Sequence, residues 1–141
     1  MKRSIISLAV FASIFFVGPL SNAQARQCSN ASLHGGYGFH GIATIAPAGT
    51  PRAILGLFTL DGKGTFSSTL TVNDNGVIRR TIDSGTYTVN ADCTGTILPV
   101  SGGAVEIVVV DSGREFYQMR TDPSAIVLYG VTKRVFRHDD E

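Results

Sequence analysis

Charge of one sign is what this 141-residue chain lacks most plainly: 12 Lys and Arg stand against 11 Asp and Glu, and charged residues make up only 16% of it. Lys2 and Arg3 belong to an N-terminal leader, and without them ten basic side chains face eleven acidic ones, a net of −1. That balance gives no electrostatic footprint for a nucleic acid. There are only two cysteines, and they form no Cys-x-x-Cys pair and lie near no His-rich spacing, so zinc and reactive-thiol chemistry lack their usual sequence basis. A Gly-x-Ser-x-Gly elbow is missing, which argues against a serine hydrolase. Gly35-Gly36-Tyr37-Gly38 lacks the Lys-Ser/Thr ending of a phosphate loop and leads into a strand. Helical periodicity behind a Ser, Thr or Asp cap is absent too, and no helical membrane span follows the leader.

The leader is a separate object. Lys2-Arg3 form a basic start, Ile5 to Leu20 an apolar stretch, and Ala23-Gln24-Ala25 a small-x-small cleavage site. These features predict a bacterial-type secretory signal peptide over 1–25 and an exported protein, periplasmic or secreted. Cleavage after Ala25 would leave 116 of the 141 residues, enough for one domain over 26–141 with a short charged C-terminal tail. In an oxidising compartment the pair Cys28 and Cys93 is read as a disulfide closing a loop of about 65 residues. Asn30-Ala31-Ser32 fits a glycosylation sequon, which carries little weight behind such a leader.

What is abundant is turn chemistry. Apolar-rich runs are broken roughly every ten residues by Asp61-Gly62-Lys63-Gly64, Asp74-Asn75-Gly76, Asp83-Ser84-Gly85, Asp92-Cys93-Thr94-Gly95, Ser101-Gly102-Gly103 and Asp111-Ser112-Gly113. Gly and Asn tolerate the positive φ of tight hairpins, so this meter predicts an all-β, antiparallel, mostly up-and-down barrel of about eight strands. The expected strands are 36–46, 52–60, 65–73, 76–82, 85–91, 95–100, 104–110, 114–121 and 125–136. Clean alternation marks two of them: Phe66, Ser68, Leu70 and Val72 oppose a Thr/Ser face, and Tyr87 and Val89 oppose Thr86, Thr88 and Asn90. Ile54 to Leu60, Ala104 to Val110 and Ala125 to Val131 are apolar on both faces, which predicts a cover over the outside, oligomer packing above all. The Gly-rich first strand is expected to bend strongly. Eight strands enclose room for packed side chains or one small ligand.

Cys28-Ser29-Asn30-Ala31-Ser32-Leu33-His34-Gly35-Gly36-Tyr37-Gly38-Phe39, Phe58-Thr59-Leu60-Asp61-Gly62-Lys63-Gly64-Thr65-Phe66 and Ser84-Gly85-Thr86-Tyr87-Thr88-Val89-Asn90-Ala91-Asp92-Cys93 carry a resemblance. They resemble a family of small exported bacterial proteins, largely uncharacterised in function, whose fold looks like the calycin and allene-oxide-cyclase barrels. The resemblance spans nearly all of 26–141 but rests on turn and staple positions, so no cyclase active site is carried over. An avidin-like barrel is a more distant comparison, and the absence of Trp removes the aromatic lid biotin would need.

Glu106 is the sharpest catalytic candidate, because it interrupts the apolar run Ala104 to Val110; pointing inward, it would have a raised pKa and could act as a general acid or base. Facing outward, or paired with Arg120 or Arg52, it would be structural. Tyr37, Tyr87, Tyr117 and Tyr129 are candidates for lining a ligand pocket with hydroxyl handles. Arg79 and Arg80 must point to opposite faces of a strand. His34 and His40 show no convergent third ligand, so neither a metal nor a cofactor is expected. The leading expectation is a binder of a small apolar molecule. A cofactor-independent cyclase or isomerase with Glu106 steering a proton is the second, and a structural or interaction module, its doubly apolar strands serving as a homo-oligomer or partner face, the third. An outer-membrane barrel is disfavoured by the Thr/Ser faces and the charged C-terminus.

Overall fold

A computed structural model describes residues 27–122 and 126–136; the leader expected over 1–25 and the expected charged C-terminal tail lie outside the described residues, as do residues 26 and 123–125. Eight strands, β1 (His34–Ile45), β2 (Thr50–Asp61), β3 (Thr65–Asp74), β4 (Val77–Val89), β5 (Thr94–Pro99), β6 (Val105–Val110), β7 (Glu115–Arg120) and β8 (Ile126–Phe136), form a closed barrel in sequence order. Each pairs antiparallel with its neighbours, and β8 returns to β1, so no sheet edge runs the full height. The expected all-β, up-and-down barrel is therefore what the chain adopts. No helix among the described residues is long and apolar enough to cross a membrane.

Alternation decides which side chains fill the interior. Odd positions of β1, β4, β5 and β6 and even positions of β2, β3, β7 and β8 point inward, giving a core that includes Tyr37, Phe39, Phe58, Phe66, Tyr87, Ile97, Ile107 and Phe116. Phe39 meets Phe58 edge-on at 5.7 Å between ring centroids, and Phe58 lies 5.7 Å from Phe66. Gly41 of β1 stands opposite Gly130 of β8, and a Cβ on either would strike the Phe39 ring, so these two inward glycines make room for it. The predicted bend in β1 appears as a register shift between Gly36 and Tyr37.

The structure corrects one boundary. The expected strands 76–82 and 85–91 are a single strand, β4, which runs straight through Asp83-Ser84-Gly85. That tripeptide does not turn because every residue of it is paired with β3, Gly85 opposite Phe66 and Asp83 opposite Ser68. Gly85 is there for space: the Leu98 backbone and the Phe66 ring occupy the volume of a Cβ. By contrast, Asn75-Gly76 forms the expected two-residue hairpin, both residues at positive φ as a type I′ turn requires.

One end of the barrel is shut. Residues 27–33 fold beneath it, a single 3₁₀ turn (Asn30–Ser32) delivers the fully buried Leu33, and Cys28 is joined to Cys93 by a disulfide. The opposite end, where β1–β2, β3–β4, β5–β6 and β7–β8 are connected, is open.

Candidate functional site

The open half of the barrel holds a cavity of about 520 Å³, within the range of small-molecule sites. Phe39, Phe58 and Phe66 form its inner wall, Leu70, Ile97 and Leu128 its sides. Polar groups are few. Gln118 and Ser68 are buried in the wall; Gln118 donates an amide N–H to Thr132 Oγ1 at 3.2 Å, and the Ser68 hydroxyl lies 3.5 Å from the Asp83 carbonyl. Sequence reasoning gave no role to Gln118, although a Gln alternating with Phe116 and Arg120 on β7 was visible as an inward polar position.

The mouth is charged but balanced. Arg52 and Arg79 both engage the Asp74 carboxylate, and Arg120 forms a two-pronged pair with Asp122. Arg120's hydrogen bonds hold the Asp122 carboxyl below its ordinary value. Asp83 accepts from the Ser84 N–H at 2.8 Å and from the Ser101 hydroxyl, tying β4 to the loop after β5. Two carboxylates, Asp74 and Asp122, thus answer three guanidiniums around one opening, while Asp83 is held by serines. No guanidinium there is left without a carboxylate to answer it.

The closed end uses polar groups differently. Tyr37 donates its hydroxyl proton to the Gly113 carbonyl at 2.8 Å, and Arg134 donates to the Tyr37 oxygen and to the carbonyls of Ser32 and Gly113. The Arg134 guanidinium also lies 5.2 Å from the Tyr37 ring centroid. Gly113, at φ +81°, passes so close beneath the Ser32 carbonyl that a Cβ has no room. The Tyr87 hydroxyl meets the carbonyls of Leu33 at 2.8 Å and Asn30 at 3.1 Å. Burial, helped by the charge of Asp61, pushes the Tyr87 phenol up to about 12. Asp61 accepts from the Thr65 hydroxyl and from the N–H groups of Lys63, Gly64 and Thr65, which hold its carboxyl far below the usual carboxylate range.

The four candidate tyrosines therefore do not share a pocket. Tyr37 and Tyr87 are core residues of the closed end, their hydroxyls engaged by backbone carbonyls. Tyr117 and Tyr129 face outward, about half exposed. Glu106 is outward as well, opposite Met119 and Thr96, and so does not reach the lumen where it was expected to act as a general acid or base. It pairs with neither Arg120 nor Arg52, whose partners are Asp122 and Asp74. Arg79 and Arg80 do point to opposite faces. Among the described residues no three His, Cys, Asp or Glu side chains come together as a metal site. No family model, curated protein or solved structure matches this chain. What the arrangement can do rests on its own geometry: an apolar chamber, shut below, with neutral hydrogen-bonding groups in its wall and compensated charges at its rim.

Proposed function

We propose that the barrel is an exported binder of one small, mostly apolar, uncharged molecule held in the open half of the lumen. The observation that carries this reading is the cavity of about 520 Å³ walled by three phenylalanines. Burying apolar ligand surface there yields about 25 cal/mol per Å², and the Gln118 amide and Ser68 hydroxyl can orient a single polar substituent. An anionic head group would have to displace Asp74 from Arg52 and Arg79, or Asp122 from Arg120, which favours a neutral ligand. Glu106, the residue that would steer a proton in a cyclase, stands outside the chamber, so binding is the better supported use. The disulfide supports the exported location, and the strand meter, staple and closed barrel support kinship with the calycin and allene-oxide-cyclase architectures.

Native mass spectrometry of the oxidised protein from its own exported fraction, before and after denaturation, tests the reading. A reproducible small-molecule increment lost on denaturation is expected. In parallel, the uncharged dye N-phenyl-1-naphthylamine should brighten on binding with one-to-one saturation, and Leu70→Trp, which fills the chamber from its wall, should abolish this. Absence of an increment together with dye binding indifferent to Leu70→Trp would overturn it.

A further inference from the structure

The outside of the barrel is divided into unlike sectors. β3 presents Thr65, Ser67, Thr69, Thr71 and Asn73, a hydroxyl-rich face. β6, β7 and β8 present a hollow of about 650 Å³ whose floor includes Val108, Tyr117, Met119 and Tyr129, with Glu106 among them. Register makes this floor continuous: Glu106 is opposite Met119, which is opposite Tyr129, and Val108 is opposite Tyr117. Every other carboxylate of the described residues has a hydrogen bond or an ion pair; Glu106 has neither.

A complementary feature lies on another side of the molecule. Above Asp83 and Ser84, which still bond Ser101 and Val100, β4 pairs with β3 alone, because β5 ends at Pro99 opposite Gly85. This free upper half of β4 projects Ile78, Arg80 and Ile82 outward, and Ile82, at 84% exposure, is the most exposed large hydrophobic side chain among the described residues. Arg80, unlike Arg79, has no acidic partner among them. The Ile78 to Ile82 row is about 13 Å long at roughly 3.3 Å per residue, and the floor from Thr96 through Glu106 and Met119 to Tyr129 crosses about 14 Å at roughly 4.8 Å per strand.

We propose that copies of this chain associate head to tail, the Ile78-Arg80-Ile82 ridge of one copy seated in the β6–β8 hollow of the next, with Arg80 meeting Glu106. An apolar ridge carrying one unpaired cation matches an apolar hollow carrying one unpaired carboxylate, and each charge gains its missing partner. Ridge and hollow lie on different sides of the barrel, so the contact is heterologous. A pair joined this way keeps one empty hollow and one free ridge, and assembly continues to a ring or filament. A lipid belt is a poorer cover, because the hydroxyl face of β3 interrupts the apolar exterior.

Sedimentation velocity of the oxidised protein over a concentration series, with thermal melts as a fold control, tests the proposal. Wild type is expected to grow past dimer with concentration. Glu106→Arg and Arg80→Glu should each weaken association at least tenfold, and the double variant Glu106→Arg/Arg80→Glu should recover most of it. A chain that stays monomeric throughout, a double variant no better than the singles, or an Arg80→Glu protein that assembles like wild type would overturn it. Ile82→Asp, which removes the ridge without touching either charge, should also give monomer, and its assembling normally would equally refute the contact.

Discussion

The two ends of the barrel are made from similar polar residues put to opposite uses. At the closed end Arg134, Tyr37 and Tyr87 donate to backbone carbonyls of the plug and of the turn between β6 and β7, tying the two together. At the open end Arg52, Arg79 and Arg120 pair with carboxylates at a rim that water reaches. Polar groups that satisfy backbone hold a fold together, while partly buried ion pairs at a mouth set which charges can pass it. Stability should therefore reside at the shut end and ligand control at the open one.

The largest expected effect comes from breaking the staple. Replacing Cys28 and Cys93 by serine frees the plug and should cost about 4 kcal/mol in the chain-entropy model, read as a lowered denaturant midpoint. Arg134→Met should follow at about 3 kcal/mol, because it strips donors from two carbonyls and from the Tyr37 hydroxyl at once. An Arg134→Met protein as stable as wild type would break the contrast between the ends.

Tyr87→Phe should cost about 1–2 kcal/mol at neutral pH and leave a signature in alkali. The Tyr87 phenol is raised from its ordinary 10.0 to about 12, so the fold favours the protonated form. Its contribution is complete below pH 10 and is lost as pH rises toward 12, where the unfolded chain releases a proton that the folded one retains. Equilibrium unfolding should show that alkaline loss in wild type and a shallower one in Tyr87→Phe.

Asp61→Asn should cost about 1 kcal/mol by weakening the turn that accepts three N–H groups. Its sign is the reverse of that for Tyr87. A depressed carboxyl contributes fully above its unfolded value near pH 4 and loses that contribution as pH falls below it, so the variant should flatten the acid side of the stability curve. The smallest stability effect belongs to the open end: Arg79→Ala, which removes an exposed side chain and leaves Asp74 its Arg52 partner, should change unfolding by less than about 1 kcal/mol. The same variant should shift dye affinity in the lumen, sharpening the division between holding and admitting.

Much of the framework is legible in the sequence. The Thr/Ser alternation of β3 identified Phe66, Leu70 and Val72 as inward residues, and the same rule separated Arg79 from Arg80. Asn75-Gly76 announced its hairpin because both residues accept the backbone angles that turn demands. Asp83-Ser84-Gly85 has an equally turn-like composition and is a continuous strand, since a glycine opposite Phe66 is needed for room and composition does not tell space from curvature. Arg134 carried no reading of its own in the sequence, and only β8's return to β1 brings it to Tyr37 and the plug.

By itself, then, the sequence determined the strand meter, the antiparallel class, the Cys28–Cys93 pair and the inward faces of strands whose two sides differ in polarity. Tertiary structure decided what local pattern leaves degenerate. In Ala104 to Val110 both faces are apolar apart from one residue, so alternation places Glu106 apart from Ile107 but does not say which of them is inside. Closing the ring settles it: Ile107 and Val109 fill the interior between β5 and β7, and Glu106 is turned out. The same closure chose which end is plugged, because residues 27–33 reach the barrel only where Cys93 and β4's Val89 can hold them. The chamber is what that plug leaves empty.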